Sequence, residues 1–118
     1  MARVTAIVND LIFMTRIRNI AEYFGLTVGF VGTEDQIDLY LKDCELILID
    51  LENDFIDSLS LIEKLKANPA TASIKLIAYL SHVNTPLRAQ ALAAGCDEVL
   101  ARFEFNSNMR GILQAACC

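Results

Sequence analysis

The chain has 118 residues, a length typical of one domain, so we expect residues 1–118 to form a single domain around one hydrophobic core. Although 54% of the residues are hydrophobic, no apolar run approaches the roughly 20 residues that span a bilayer. The net charge of -5 and the lack of a basic stripe argue against direct binding of nucleic acid. The cysteines lack Cys-x-x-Cys spacing and no signal peptide precedes them, which predicts reduced thiols and a cytoplasmic protein.

The first half of the chain alternates apolar runs with helical stripes. A first strand is predicted over 4–9 and a helix over 11–24, which Gly25 ends as a C-cap glycine. A second strand follows over 27–31. Thr33 and Gln36 have the spacing of a capping box, which predicts a second helix running to Leu41. The next strand covers 46–50.

The second half continues the same alternation. Helices are predicted over 57–67, from Thr85 to the closing Gly95, and over 106–116, with strands over 74–80 and 99–101 between them. Strands that alternate with helices predict an α/β fold, a five-stranded parallel sheet that is doubly wound with helices on both faces. If the strand order is 2-1-3-4-5, the ends of the first and third strands lie side by side at the switch point.

Two of the predicted strands run into an aspartate. Residues 46–49 are all apolar and lead into Asp50, and residues 5–9 lead into Asp10. At the carboxyl edge of one sheet, two such carboxylates raise each other's pKa unless a cation lies between them. Mg²⁺ is the simplest cation for oxygen ligands with open positions, so a weak magnesium site is expected here.

These segments resemble the receiver domain of bacterial two-component response regulators over nearly the whole chain. Four stretches carry the resemblance, namely residues 8–10, 48–50, 57–59 and 94–98. The resemblance implies a flavodoxin-like (βα)5 fold with strand order 2-1-3-4-5. It also implies that Asp50 is the phosphoacceptor. The implied magnesium ligands are Asp10, Asp50 and the backbone carbonyl of Glu52, with Asn9 standing where receivers usually have another acid.

Several positions depart from the receiver pattern. Leu80 stands where receivers place a hydroxyl residue that binds the phosphoryl group, and Ser81 follows it. Arg102 replaces the usual lysine, and Val99 replaces the usual aromatic switch residue. Arginine and lysine are not interchangeable at a compact charge site. We therefore expect Arg102 and Ser81 to be candidate phosphoryl contacts in a domain that binds Mg²⁺ weakly and switches poorly.

The sequence leaves two main functions open. The first, which the retained Asp10 and Asp50 favour narrowly, is a signalling receiver, not an enzyme, that takes a phosphoryl group on Asp50 from a histidine kinase or phosphotransfer protein. The second is a pseudo-receiver that binds partners without phosphorylation. A flavin-binding or hydrolytic protein is disfavoured, because no glycine-rich phosphate loop follows the first strand. The sequence leaves the oligomeric state open, a homodimer included. By resemblance, a downstream protein would bind the face of the fourth helix, fifth strand and fifth helix, including Leu87, Arg88, Arg102, Phe103 and Met109.

Overall fold

The computed structural model describes residues 3–81 and 84–116. In that part of the chain, five parallel strands form one sheet in the order β2-β1-β3-β4-β5, which confirms the predicted fold and strand order. The elements in chain order are β1 (Arg3–Ile7), α1 (Leu11–Tyr23), β2 (Thr27–Phe30), a 3₁₀ helix (Glu34–Tyr40), β3 (Cys44–Asp50), α2 (Ser58–Ala67), β4 (Lys75–Leu80), α3 (Thr85–Ala94), β5 (Glu98–Ala101) and α4 (Arg102–Ala116). Among the described residues, no helix is both long and apolar enough to cross a membrane.

The sheet has a hydrophobic layer on each face. Side chains of a strand alternate between the two faces, so β3 sends Ile47 and Ile49 to one layer and Leu46 and Leu48 to the other. Helices α2 and α3 and the 3₁₀ helix cover the first layer, and α1 and α4 cover the second. Seven residues that form or cover the centre of the sheet are buried: Ile7, Phe13, Ile17, Ile47, Ile49, Leu61 and Leu76.

The second predicted helix is a short 3₁₀ helix, and its capping box does not form. The Thr33 side chain makes no capping hydrogen bond, and the Gln36 side chain accepts a hydrogen bond from the Gly32 N–H at 2.9 Å. Ile37 is the only buried residue of this segment. With so little apolar surface to bury, the segment gains little from a longer helix, and 3₁₀ turns are commonly used in short pieces.

The last helix begins four residues earlier than the sequence pattern predicted. Strand β5 ends at Ala101 and α4 begins at Arg102, with no loop between them. The Glu104 carboxylate accepts a hydrogen bond from the Ala101 N–H at 2.9 Å, which satisfies a backbone donor at the helix start. The early start places Arg102 at the carboxyl edge of the sheet, where the predicted site lies.

Candidate functional site at the carboxyl edge of the sheet

Asp50 is the last residue of the central strand β3 and is 8% exposed. One of its carboxylate oxygens, Oδ1, accepts a hydrogen bond from the Glu52 N–H at 2.9 Å. Burial raises the pKa of Asp50, and the nearby negative charge of Glu52 raises it further. The hydrogen bond from the Glu52 N–H acts in the opposite direction and lowers the pKa. The fold therefore presents one poorly solvated carboxylate at the position that the sequence predicted for a phosphoacceptor.

Asp10 lies three residues beyond β1, at the same edge, and serves as the N-cap of α1. Its Oδ1 atom accepts hydrogen bonds from the N–H groups of Ile12 at 2.9 Å and Phe13 at 3.1 Å. Its other oxygen, Oδ2, accepts a hydrogen bond from Nη2 of Arg102. Both carboxylate oxygens of Asp10 are thus already engaged by donors of the chain itself.

Arg102 is held by aromatic rings as well as by Asp10. The centre of its guanidinium lies 4.4 Å from the centroid of the Phe13 ring and 5.6 Å from that of Tyr79. Tyr79 is itself stacked on Phe105, with centroids 4.6 Å apart and an angle of 19° between the rings. Cation–π contacts of this kind contribute roughly 0.5–1 kcal/mol at exposed sites. The Phe13 and Tyr79 rings therefore hold the arginine over the α1–α4 face of the sheet, and Phe105 supports the Tyr79 ring.

Ser81 is bound by Glu52. The Glu52 carboxylate accepts hydrogen bonds from the Ser81 N–H at 2.7 Å, the Ser81 hydroxyl at 3.0 Å and the Asn84 amide at 3.4 Å. These bonds hold the pKa of Glu52 below its usual value, the Ser81 N–H contributing most. Leu80, at the position where receivers have a hydroxyl, is 2% exposed within the hydrophobic layer. The Ser81 hydroxyl, predicted as a phosphoryl contact, therefore bonds to the Glu52 carboxylate.

Tyr79 is a site residue that the sequence analysis missed. It pairs with Asp50 across β3 and β4, and its ring is fully buried. Its hydroxyl has no hydrogen-bond partner of normal geometry among the described residues, although it lies close enough to Asp50 for that charge to add to burial in raising the tyrosine's pKa. One signal was available in the sequence, since Tyr79 is the only residue with a polar tip in the run 76–80.

Asn53 was also missed, and it orders the loop that follows Asp50. Its side-chain amide donates hydrogen bonds to the Asp50 carbonyl at 2.6 Å and to the Ser58 hydroxyl at 2.9 Å. Its side-chain oxygen accepts hydrogen bonds from the N–H groups of Phe55 and Ile56. An asparagine that bonds to the backbone two and three residues ahead is typical of a tight turn. The loop after β3 is therefore held by its own side chains.

Asp10, as arranged, is poorly placed to bind a magnesium ion. Mg²⁺ needs free oxygen ligands in near-octahedral geometry, whereas both oxygens of Asp10 already accept hydrogen bonds. Asn9 is exposed, and the Glu52 side chain, as distinct from the backbone carbonyl predicted as a ligand, is turned to Ser81 and Asn84. Across residues 3–81 and 84–116, no group of three or more His, Cys, Asp or Glu side chains is placed to hold a metal ion. A metal ion at Asp10 would have to displace Arg102.

The partner-binding surface predicted around α3, β5 and α4 differs from the structure at one residue. Met109 is fully buried between α4 and the sheet, because its position follows the inward stripe of the helix, so it cannot be part of a binding surface. Leu87 is half-buried, while Arg88, Arg102 and Phe103 are exposed. Strand β5 is the edge strand of the sheet, and it separates the faces that carry α3 and α4.

Exposed apolar side chains flank the Asp10–Arg102 ion pair. Leu11 and Ile12, which follow Asp10, are 76% and 73% exposed, and Phe103, which follows Arg102, is 77% exposed. Because Asp10 and Arg102 are in contact, these three residues lie on the same part of the surface. Single exposed apolar residues need no explanation, but a group of them around an arginine is typical of protein interfaces.

Comparisons with known proteins agree with this fold. No protein-family model and no curated protein matches the chain. Among solved structures, the chain resembles the receiver domain of a signal transduction histidine kinase from Syntrophus aciditrophicus (17% identity, TM-score 0.81, 99% of this chain and 90% of that one). It also resembles the receiver domain of a Pseudomonas aeruginosa sensor histidine kinase, which has a magnesium ion in its active-site cleft (20% identity, TM-score 0.77, covering 98% and 96%). An orphan response regulator of H. pylori has 14% identity and a TM-score of 0.78, covering 99% and 97%. The chain has the fold of response regulator receiver domains.

Proposed function

We propose that residues 1–118 form a single receiver-type module of two-component signalling that binds protein partners in one fixed conformation in the cytoplasm. The observation that carries this proposal is that Ser81 donates two hydrogen bonds to the Glu52 carboxylate, one from its N–H and one from its hydroxyl. A receiver couples phosphorylation to output through a hydroxyl that is free to move towards the phosphoryl group. A ligand shifts a conformational equilibrium only by its differential affinity for two states, and here the Ser81 hydroxyl is already held by Glu52.

The proposed partners are a histidine kinase or phosphotransfer protein and a downstream protein. The exposed residues Arg88, Arg102 and Phe103 support a partner surface along the α3, β5 and α4 edge, and Leu11 and Ile12 extend it across the ion pair. Apolar groups next to arginine suit a protein partner, whereas the net charge of -5 does not suit nucleic acid. A homodimer through this edge belongs to the same proposal.

A second candidate function is phosphorylation of Asp50. The structure supports it in one respect, because Oδ2 of Asp50 accepts no hydrogen bond of normal geometry among the described residues. Asp50 also ends the central strand, at the edge where α/β sheets keep their functional groups. In this case the domain accepts a phosphoryl group and releases it with little change at the α3, β5 and α4 edge.

One experiment separates the two functions. The protein is incubated with phosphoramidate and Mg²⁺, and its intact mass is measured beside that of Asp50→Asn. The fixed-state module shows no phosphoryl adduct, and its amide spectrum is unchanged by beryllofluoride. An adduct that disappears in Asp50→Asn would replace the first proposal with the second. Asp54→Asn is a matched control, since Asp54 is an exposed carboxylate in the adjacent loop.

A further inference from the structure

We propose that Arg102 is the resident cation of this edge of the sheet, taking the place that a magnesium ion has in metal-binding receiver domains. Asp10 follows β1 by three residues and Asp50 ends the neighbouring strand β3, so two carboxylates share this edge and favour a positive charge there. The structure supplies that charge from the chain itself, through Nη2 of Arg102 on Oδ2 of Asp10. This inference concerns the same edge as the proposed function, but it requires neither a partner nor the absence of phosphorylation.

The position of Arg102 is built into the fold. As the first residue of α4, directly after β5, its backbone is fixed by two regular elements. Its guanidinium lies on the Phe13 and Tyr79 rings, and a lysine ammonium has no planar group to stack in this way. The Phe13 ring lies 5.2 Å from the Tyr79 ring, so the arginine rests on a continuous aromatic surface. A metal ion would therefore have to break an ion pair and these ring contacts together.

Asp10 also caps the first turn of α1. Its Oδ1 atom caps α1 through the N–H groups of Ile12 and Phe13. A cap of this kind is lost if the carboxylate rotates to reach a metal ion, and it also fixes the direction of Oδ2 towards Arg102. The ion pair thus joins the first turns of α1 and α4, which pack side by side on one face of the sheet. Arg102 neutralises Asp10 and excludes a second cation by occupying the space beside it.

The test uses Mn²⁺ as a paramagnetic probe and records the broadening of amide signals in the full chain. We expect no saturable site in the wild-type protein at millimolar Mn²⁺. Arg102→Gln removes the charge and frees Oδ2, so it should bind Mn²⁺ at least about tenfold more tightly, since the loss of a nearby unit charge is worth that much even at the surface. The broadening should centre on the amides of Ile12, Phe13 and Glu52, and Asp10→Asn in the Arg102→Gln background should abolish it.

The matched control is Arg110→Gln. Arg110 is also on α4 and lies over aromatic rings, 4.7 Å from the Tyr23 centroid, but it makes no ion pair among the described residues. This variant should behave as the wild type does. If Arg102→Gln proves unfolded by circular dichroism, Arg102→Lys serves instead, and it should admit Mn²⁺ at a lower concentration than the wild type.

Two results would overturn the inference. The first is saturable Mn²⁺ binding at these amides in the wild type, and the second is a variant at Arg102 that folds without gaining a site. Neither result depends on phosphorylation. Mn²⁺ binding by the wild type without an adduct from phosphoramidate would remove this inference and leave the proposed function standing, and an adduct without a metal site would do the reverse.

Discussion

Truncation of Ile49 tests the central strand that carries Asp50. Ile49 is fully buried, lies directly before Asp50, and pairs with Ile7 on one side and Ala78 on the other. In Ile49→Ala, the lost carbon atoms contribute about 2.4 kcal/mol at roughly 0.8 kcal/mol each. The cavity that remains among well-packed neighbours adds to this, so we expect a loss of roughly 2–5 kcal/mol in the free energy of unfolding. That is a large share of the roughly 5–15 kcal/mol typical of a domain.

The assay is equilibrium unfolding in urea followed by circular dichroism. Ile12→Ala is the matched control, because it makes the same chemical change at a residue that is 73% exposed on α1. It should change the free energy of unfolding by less than about 0.5 kcal/mol, as surface substitutions usually do. A loss of less than about 1 kcal/mol for Ile49→Ala, with an unchanged slope, would refute a fully buried central strand.

Two further predictions follow from the opposite edge of the sheet. Burial raises the pKa of the Cys96 thiol to about 11. Iodoacetamide at pH 8 should therefore leave Cys96 unmodified in the native protein and alkylate it after unfolding, which peptide mass spectrometry can measure. Rapid labelling of Cys96 in the native protein would contradict this prediction. Burial alone would raise the pKa of Asp97, but hydrogen bonds from the Leu76 N–H at 2.8 Å and Lys66 at 2.9 Å lower it. The stability that this carboxylate contributes is therefore present above its unfolded pKa of about 3.9 and is lost as the pH falls through its lower folded pKa. Asp97→Asn should cost about 1 kcal/mol at most at pH 7, since the pair is partly exposed, and the cost should fade below pH 4; a constant cost across this range would refute the ion pair's role.

The strands and most of the helices could be predicted from the sequence because their signals are local. The run of residues 46–49 is apolar throughout, as is typical of a strand that is buried on both faces of a sheet. Gly25 and Gly95 marked the ends of α1 and α3, and their φ angles of 72° and 113° show why glycine is needed there. The two exceptions are the 3₁₀ helix and the start of α4. Their boundaries depend on how much apolar surface the segment buries and on which side chain caps it.

The placement of Asp10 and Asp50 at one edge of the sheet was also available from the sequence, since each follows or ends a predicted strand and parallel strands share their carboxyl edge. Their hydrogen-bond partners were not. Asp10 is paired with a residue 92 positions away, and Glu52 with one 29 positions away, so no local pattern reports either contact. The sequence by itself determined the sheet, its faces and the location of the site, because these depend on periodicity. Only the tertiary structure decided that Arg102 bonds to Asp10 and that Ser81 bonds to Glu52, because long-range packing determines which donor reaches which carboxylate.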